Sequence, residues 1–261
     1  MRLLRPWKRS FFWLSVTAFL ITLILFGIYS LRYDQQLRQA QSQYRSLQKK
    51  AIQRSPPQTI SKKQNYSKKK YQKRTVTIPN IDFPLLWKYN SDIYAWIMIP
   101  DANVSYPILQ HSKYDTYYLN HNLNGSTGYP GCIFSKTQSK KDFTDALLIL
   151  YGHNMRNGTM FGSLKCYEKK EYWETHRWIH FYMPENLCSY EAFAVFRTTV
   201  SEPETVFEQE TATGADADAN AGGQGENFPY YRYAGNLNQE QFQNLIREVR
   251  EYACYDTGIV P

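Results

Sequence analysis

Cysteine is scarce in this 261-residue chain: four residues, with no C-x-x-C pair among them. That excludes a disulfide-stapled mini-domain, which needs a far denser framework, and leaves no zinc-ribbon or thioredoxin-type spacing. Acidic residues are missing from the first 74 positions apart from Asp34, and charge of either sign is missing from Ser10 to Leu31. No internal repeat is visible, which argues against solenoids and propellers. What is abundant is aromatic: 16% of the residues, with 22 Tyr among them, a composition that suits half-buried strands.

The net charge of +8 belongs to one end of the chain. Residues 1–9 hold four basic residues and no acid, and residues 32–74 hold 13 against one acid. Residues 75–261 hold 14 basic against 22 acidic residues. Overall basicity would point to nucleic acid, but the part that reads as folded is acidic, so no nucleic-acid partner is expected.

The uncharged run 10–31 includes Phe11, Phe12, Trp13, Leu14, Phe19, Leu20, Ile21, Leu23, Ile24, Leu25 and Phe26. About 20 apolar residues cross a bilayer as a helix, and Trp13 and Tyr29 stand where amphipathic rings favour the interface. The run is long for the apolar core of a signal peptide and no A-x-A site follows it, so an uncleaved signal-anchor is expected. The four basic residues ahead of it favour a cytoplasmic N-terminus. The expected layout is a cytoplasmic tail (1–9), a transmembrane helix (10–31), a basic extracellular stalk (32–74) and a folded domain (75–261).

Within the stalk, Leu37, Tyr44 and Leu47 fall at helical spacing over Arg32–Ile52, and Ser55-Pro56-Pro57 ends that pattern. Lys62–Arg74 is a solvated basic run, read equally well as a spacer or as a contact for anionic lipid or cell wall. After Thr75 short apolar runs alternate with turn signals. Ile81–Ala95 reads as a helix with Leu85, Leu86 and Tyr89 on one side, and Trp96–Ile99 as a strand entering a turn at Pro100-Asp101. Val104–Leu109, Gly131–Phe134, Trp178–Tyr182 and Tyr190–Thr199 read as strands. The run Asp145–Tyr151 reads as a strand buried on both faces. Residues 201–227 are low-complexity loop. A last helix starts at the capping box Asn238…Gln241, with Phe242, Leu245, Ile246 and Val249 as its apolar stripe. Many short strands with few helices make a mainly β class, a closed or sandwiched sheet.

The strongest chemical signal is Tyr151-Gly152-His153-Asn154-Met155-Arg156-Asn157-Gly158-Thr159-Met160-Phe161. It places His153 at the end of an apolar strand, and His moves protons readily near neutral pH. The other candidates read more plainly. His176 and His180 are four apart but have no Glu between them in the H-E-x-x-H manner, and their segment looks strand-like. No metal or other cofactor is expected. Cys132, Cys166 and Cys188 read as core or surface thiols, and the sequence does not pair them. Asn65, Asn103, Asn124 and Asn157 open short N-x-[ST] motifs of the kind that chance produces.

The stretch YGHNMRNGTMF resembles the catalytic-His motif of class B sortases, membrane-anchored cysteine transpeptidases of Gram-positive bacteria. Further similar stretches come in the family's order: LLWKYNSDIYAWIMIPDANVSYPILQ, YYLNHNLNG, GCIFSK, then FGSLKCY after the His motif. The helix before Asp256-Thr257-Gly258-Ile259-Val260 also fits. The resemblance covers about residues 80–261, interrupted at 201–227. It implies a sortase-like eight-stranded β-barrel with a few helices. It also implies cleavage of a C-terminal sorting signal: a Cys thiolate forms a thioacyl enzyme, and an amine of a peptidoglycan precursor or a pilin resolves it. His153 would then donate a proton to the leaving amine, and an Arg would stabilise the oxyanion. Leu119 and Asn120 match a segment beside the family's substrate groove.

The family's T-L-S-T-C-type strand and the Arg strand beside it are not present in these residues. Cys254, in EYACYDTG, sits at the end of a helix with no Arg after it, and is disfavoured as nucleophile. The chain therefore reads as truncated ahead of both strands, with an opened barrel that would expose sheet edges. Partners expected from the resemblance are sorting-signal-bearing surface proteins, the amine acceptor and the membrane. Two other readings stay open: a non-catalytic envelope protein binding sorting peptides or wall polymer, and an adhesin acting through its basic stalk.

Overall fold

The computed structural model describes residues 6–53, 79–198, 228, 230–233 and 237–261. The low-complexity loop 201–227, the basic run 62–74 and the first five residues of the tail lie outside the described residues. The chain divides into two compact units. One takes the described residues up to Asn90 together with Asn120–Gly131; the other takes Ser91–Leu119 and those from Cys132 onward.

The first unit is built on one unbroken helix, α1 (Pro6–Ala51, 46 residues). From Phe11 to Leu31 its side chains are exposed almost throughout, as in Phe26 at 69%. By length and composition this part of the helix is able to cross a membrane. The helix runs on without a break into the segment read from sequence as a separate helix over 32–52. There Ala40, Tyr44, Leu47 and Ala51 are buried and Tyr33 and Leu37 half-buried. Positions 33, 37, 40, 44, 47 and 51 alternate steps of four and three, so they form one stripe along α1. Tyr44 donates from its hydroxyl to the Gly131 carbonyl at 2.8 Å. A short antiparallel pair, β1 (Ile52–Gln53) with β2 (Asn80–Ile81), leads into α2 (Phe83–Tyr89).

Helix α2 is shorter than the helix expected over Ile81–Ala95. Asp82 caps its start, its Oδ1 accepting from the Leu85 amide at 2.9 Å, and Asn90 leaves it in an extended conformation. The turn-forming run Asn90-Ser91-Asp92 then hands over to β3 (Ile93–Ile99). Ile93-Tyr94-Ala95 therefore opens the strand rather than closing the helix. All but one residue of β3 is buried, so the run has no polar face to give it a strand's alternation.

The second unit is a five-stranded mixed sheet in the order β5-β4-β3-β6-β7. Its strands are β3, β4 (Val104–Leu109), β5 (Ile133–Phe134), β6 (Trp178–Tyr182) and β7 (Leu187–Glu191). Among the described residues only β4 and β5 pair in parallel. Helix α3 (Lys170–His176) precedes β6, and α4 (Gln239–Glu251) comes late in the chain. The mainly β class holds, and five strands form this sheet among the described residues. Among the described residues, the runs expected at Gly131–Phe134 and Tyr190–Thr199 form ladders only over Ile133–Phe134 and up to Glu191, Thr199 lying outside them. The Asp145–Tyr151 run makes no ladder, only isolated bridges: Leu147 is one bridge residue, and Tyr151 pairs with Phe134 through bonds of 2.8 and 3.0 Å. Residues 147–150 are half-buried. One core cluster of the second unit joins Phe228, Leu245 and Val249 with Leu147, Phe193 and Phe196 packed against them. The capping box at Asn238 is formed in full, with bonds of 2.8 and 3.0 Å to and from Gln241.

His180 on β6 lies opposite Met98 on one side and Ser189 on the other, with Nδ1 2.8 Å from the Ser189 hydroxyl. Burial holds its imidazole below the ordinary histidine value. The folded state thus takes up this proton less readily than the unfolded chain. The resulting stability is present above the unfolded value of about 6.5 and is lost as pH falls through the lowered native value. Melting scans between about pH 7.5 and 5 should show a falling midpoint, and His180→Asn should flatten that fall.

Candidate active site

The His motif folds back on itself as a tight loop on the sheet unit. Gly158 donates to the Met155 carbonyl at 3.0 Å, and Asn157 Oδ1 accepts from both the amide and the hydroxyl of Thr159. Asn154 and Met160 form an antiparallel bridge, and the Phe161 amide donates to the His153 carbonyl at 3.0 Å. Met155 and Met160 are buried beneath, and the Met160 amide donates to the Tyr106 hydroxyl on β4. His153 therefore stands at the base of a loop whose backbone is held at both ends.

Two glycines make that closeness possible. A Cβ at Gly152 would lie 2.3 Å from Ile133 Cδ1, and one at Gly162 would lie 2.1 Å from the Met155 carbonyl oxygen. The first obstacle is a side-chain end, which can give way; the second is backbone inside the His loop, which cannot. Gly162→Ala is expected to cost about 1–3 kcal/mol through overpacking, read as a lowered unfolding midpoint. Gly152→Ala is expected to cost less.

His153 is half-buried, and its Nε2 lies 2.8 Å from the Leu119 carbonyl oxygen. A carbonyl only accepts, so Nε2 carries a hydrogen and Nδ1 is the nitrogen at which a proton can be exchanged. Leu119 closes a short 3-10 turn, Tyr117–Leu119, set by its own amide on the Thr116 carbonyl at 2.9 Å. The turn is fixed in the sheet unit by the Tyr118 hydroxyl on Asp92 at 2.7 Å and by the Cys132 amide on the Tyr118 carbonyl at 2.9 Å. The imidazole is thus oriented by a backbone group that other residues hold still, the usual support for a proton-transferring His.

The structure brings Leu119 and His153 together through that carbonyl. Asn120 is exposed and belongs to the Asn120–Gly131 loop of the other unit, where its carbonyl accepts from the Gly128 amide at 2.7 Å. Cys254 is exposed beyond α4, its amide donating to the Val195 carbonyl at 2.7 Å. All four cysteines are free thiols; Cys132 is buried and Cys166 and Cys188 are half-buried. His176 ends helix α3, stacked on Tyr172 at 3.9 Å, while His180 sits on β6, so the two do not share one element. The strand-like reading of His176 is thereby corrected: Lys170–His176 closes a helical turn before β6 begins. No group of three or more His, Cys, Asp or Glu able to hold a metal ion occurs among the described residues.

Sequence reasoning missed the supports of the His: Tyr106, Asp92, Tyr118 and the two close-packed glycines. Only the glycines left a trace in the sequence, at the two ends of Gly152-His153…Phe161-Gly162.

No family model matches the chain. Among curated relatives, Sortase B of Listeria monocytogenes is 40% identical over 116 residues, 44% of this chain and 46% of that protein. Sortase B of Staphylococcus aureus is 31% identical over 120 residues, 46% of this chain and 49% of that protein. The chain thus spans about half the length of the curated relatives it matches. Among solved structures, Listeria monocytogenes sortase B superposes with a TM-score of 0.51 at 27% identity, over 69% of this chain and 87% of that one. A Staphylococcus aureus sortase B–substrate complex gives 0.55 at 23% identity, over 69% and 70%.

Proposed function

We propose that this chain, a relative of class B sortases in sequence and fold, does the work of a sortase-type cysteine transpeptidase. In this reading it cleaves a sorting signal on surface proteins and passes the acyl group to an amine of the cell wall or of a pilin. The observation that carries the reading is the His153–Leu119 contact, a histidine held in one orientation by a fixed carbonyl. The anchor helix keeps the N-terminus in the cytoplasm and the sheet unit outside the cell.

The reaction is an acyl exchange. A thiolate attacks the scissile carbonyl and an imidazolium at His153 protonates the departing amine; the acceptor amine then attacks the thioester carbonyl, gives its proton to the neutral imidazole, takes the acyl group and releases the thiolate. The thiolate and an oxyanion-stabilising Arg are supplied by strands of the kind that carry Thr-Leu-Ser-Thr-Cys in the family. None of the four thiols in this chain is assigned that role.

The test compares the membrane-embedded chain as it stands with the same chain joined to the last strands of the Listeria monocytogenes relative. Both are offered a sorting-signal peptide, and thioacyl adducts are read by intact mass. The joined chain is expected to gain the adduct and the unextended chain to gain none. A joined, folded chain that binds the peptide without an adduct would establish the non-catalytic reading instead.

A further inference from the structure

The membrane-proximal end of the first unit carries a surface that the catalytic reading does not use. Helix α1 is continuous from the apolar run into the stripe that packs under the Asn120–Gly131 loop. Tyr33 is the first residue of that stripe, two positions after Leu31, the last residue of the uncharged run. At 1.5 Å per residue that is about 3 Å along the axis. The Tyr33 and Tyr129 rings meet edge to face with centroids 5.8 Å apart. One helical turn on, the position a Cβ would take at Gly128 lies 3.4 Å from Gln36 Oε1. The polar head-group layer is about 5–8 Å deep on each side of the hydrocarbon core. The Gly128–Tyr129 corner therefore stands within its depth.

Its chemistry suits that depth. Residues 120–131 contain no acid, so nothing in the loop opposes an anionic surface, and Ser126, Thr127 and Tyr129 offer hydroxyls. Tyrosine, with an apolar ring and a polar tip, favours the bilayer interface, and Tyr29 and Tyr33 precede the corner on α1. We propose that the Gly128–Tyr129 corner, together with Tyr33, is a lipid-contact surface that rests on phospholipid head groups. It holds the first unit against the bilayer, with no flexible stalk between them. The proposal rests on the membrane-spanning reading of α1, and its test separates the two.

The full chain in phospholipid nanodiscs carries the photo-crosslinker p-benzoylphenylalanine at one of three sites: in place of Phe19, within the span; of Tyr129; or of Lys49, about 24 Å beyond Tyr33 along the same helix. Irradiated samples are read by intact mass, and near-UV circular dichroism checks that each is folded. The expected result is a mass gain of one phospholipid at positions 19 and 129 and none at 49. An adduct at 19 without one at 129 would overturn the lipid-contact surface and leave the span intact. Absence at 19 would remove the span and the proposal with it. Adducts at all three sites would mean that the helix lies along the surface, which also overturns it.

Discussion

Trp96→Ala is expected to cost about 3–5 kcal/mol, the range for emptying a buried aromatic site. Trp96 has no exposed surface and sits on β3, the middle strand of the sheet, between Pro107 on β4 and Tyr182 on β6. Its indole Nε1 donates to the Ser105 hydroxyl at 3.0 Å. Truncation therefore removes a large apolar volume from where neither flanking strand can move in to fill it, and leaves Ser105 without its donor. For a protein of this size each kcal/mol shifts melting by roughly 2–4 °C, so the midpoint should fall by roughly 6–20 °C. Trp96→Phe keeps most of the ring and loses the indole bond, and should cost about 1–2 kcal/mol. Thermal unfolding in detergent, followed by near-UV circular dichroism, reads both. Equal effects of the two substitutions would show that the Ser105 bond, and not the filled volume, carries the stabilisation.

The elements that could be read from sequence are those whose signal is local. The α4 start is written in Asn238 and Gln241, and β4 and β6 lie between turn residues at the expected positions. The helix expected over Ile81–Ala95 is real only over Phe83–Tyr89 and was drawn too long because β3 is buried on both faces: its apolar run has no period of its own to oppose a helix. The Asp145–Tyr151 run failed for the complementary reason. Apolarity shows that a segment avoids water, not that a neighbouring strand pairs along it, and this run makes isolated bridges at Leu147 and Tyr151 in place of a ladder. The packing of α1 was half legible. Tyr44 and Leu47 announce a stripe, but Ala40 and Ala51 add little hydropathy and matter because they let another backbone come close. At the candidate site His153 was visible from its place after an apolar run. Its anchor was not, because the Leu119 carbonyl is a backbone group and would be there whatever residue stood at 119.

That anchor allows the catalytic and structural roles of His153 to be separated. In a chain joined to the thiolate and Arg strands, His153→Gln should lower transpeptidation by about 10²–10⁴-fold, the usual contribution of a placed general acid or base. A glutamine amide can still donate to the Leu119 carbonyl, so the loop and its melting temperature should stay close to those of the parent. His153→Ala should lose the same activity and also the hydrogen bond, with a further stability cost of about 1 kcal/mol. The two variants together decide between readings. If histidine only holds the Tyr117–Leu119 turn in place, Gln should restore most of the activity that Ala removes. If it protonates the leaving amine, Gln should be as inactive as Ala. In that case a substrate whose leaving group needs no proton should recover thioacyl formation in both variants, because attack by the thiolate and stabilisation of the oxyanion do not pass through the imidazole.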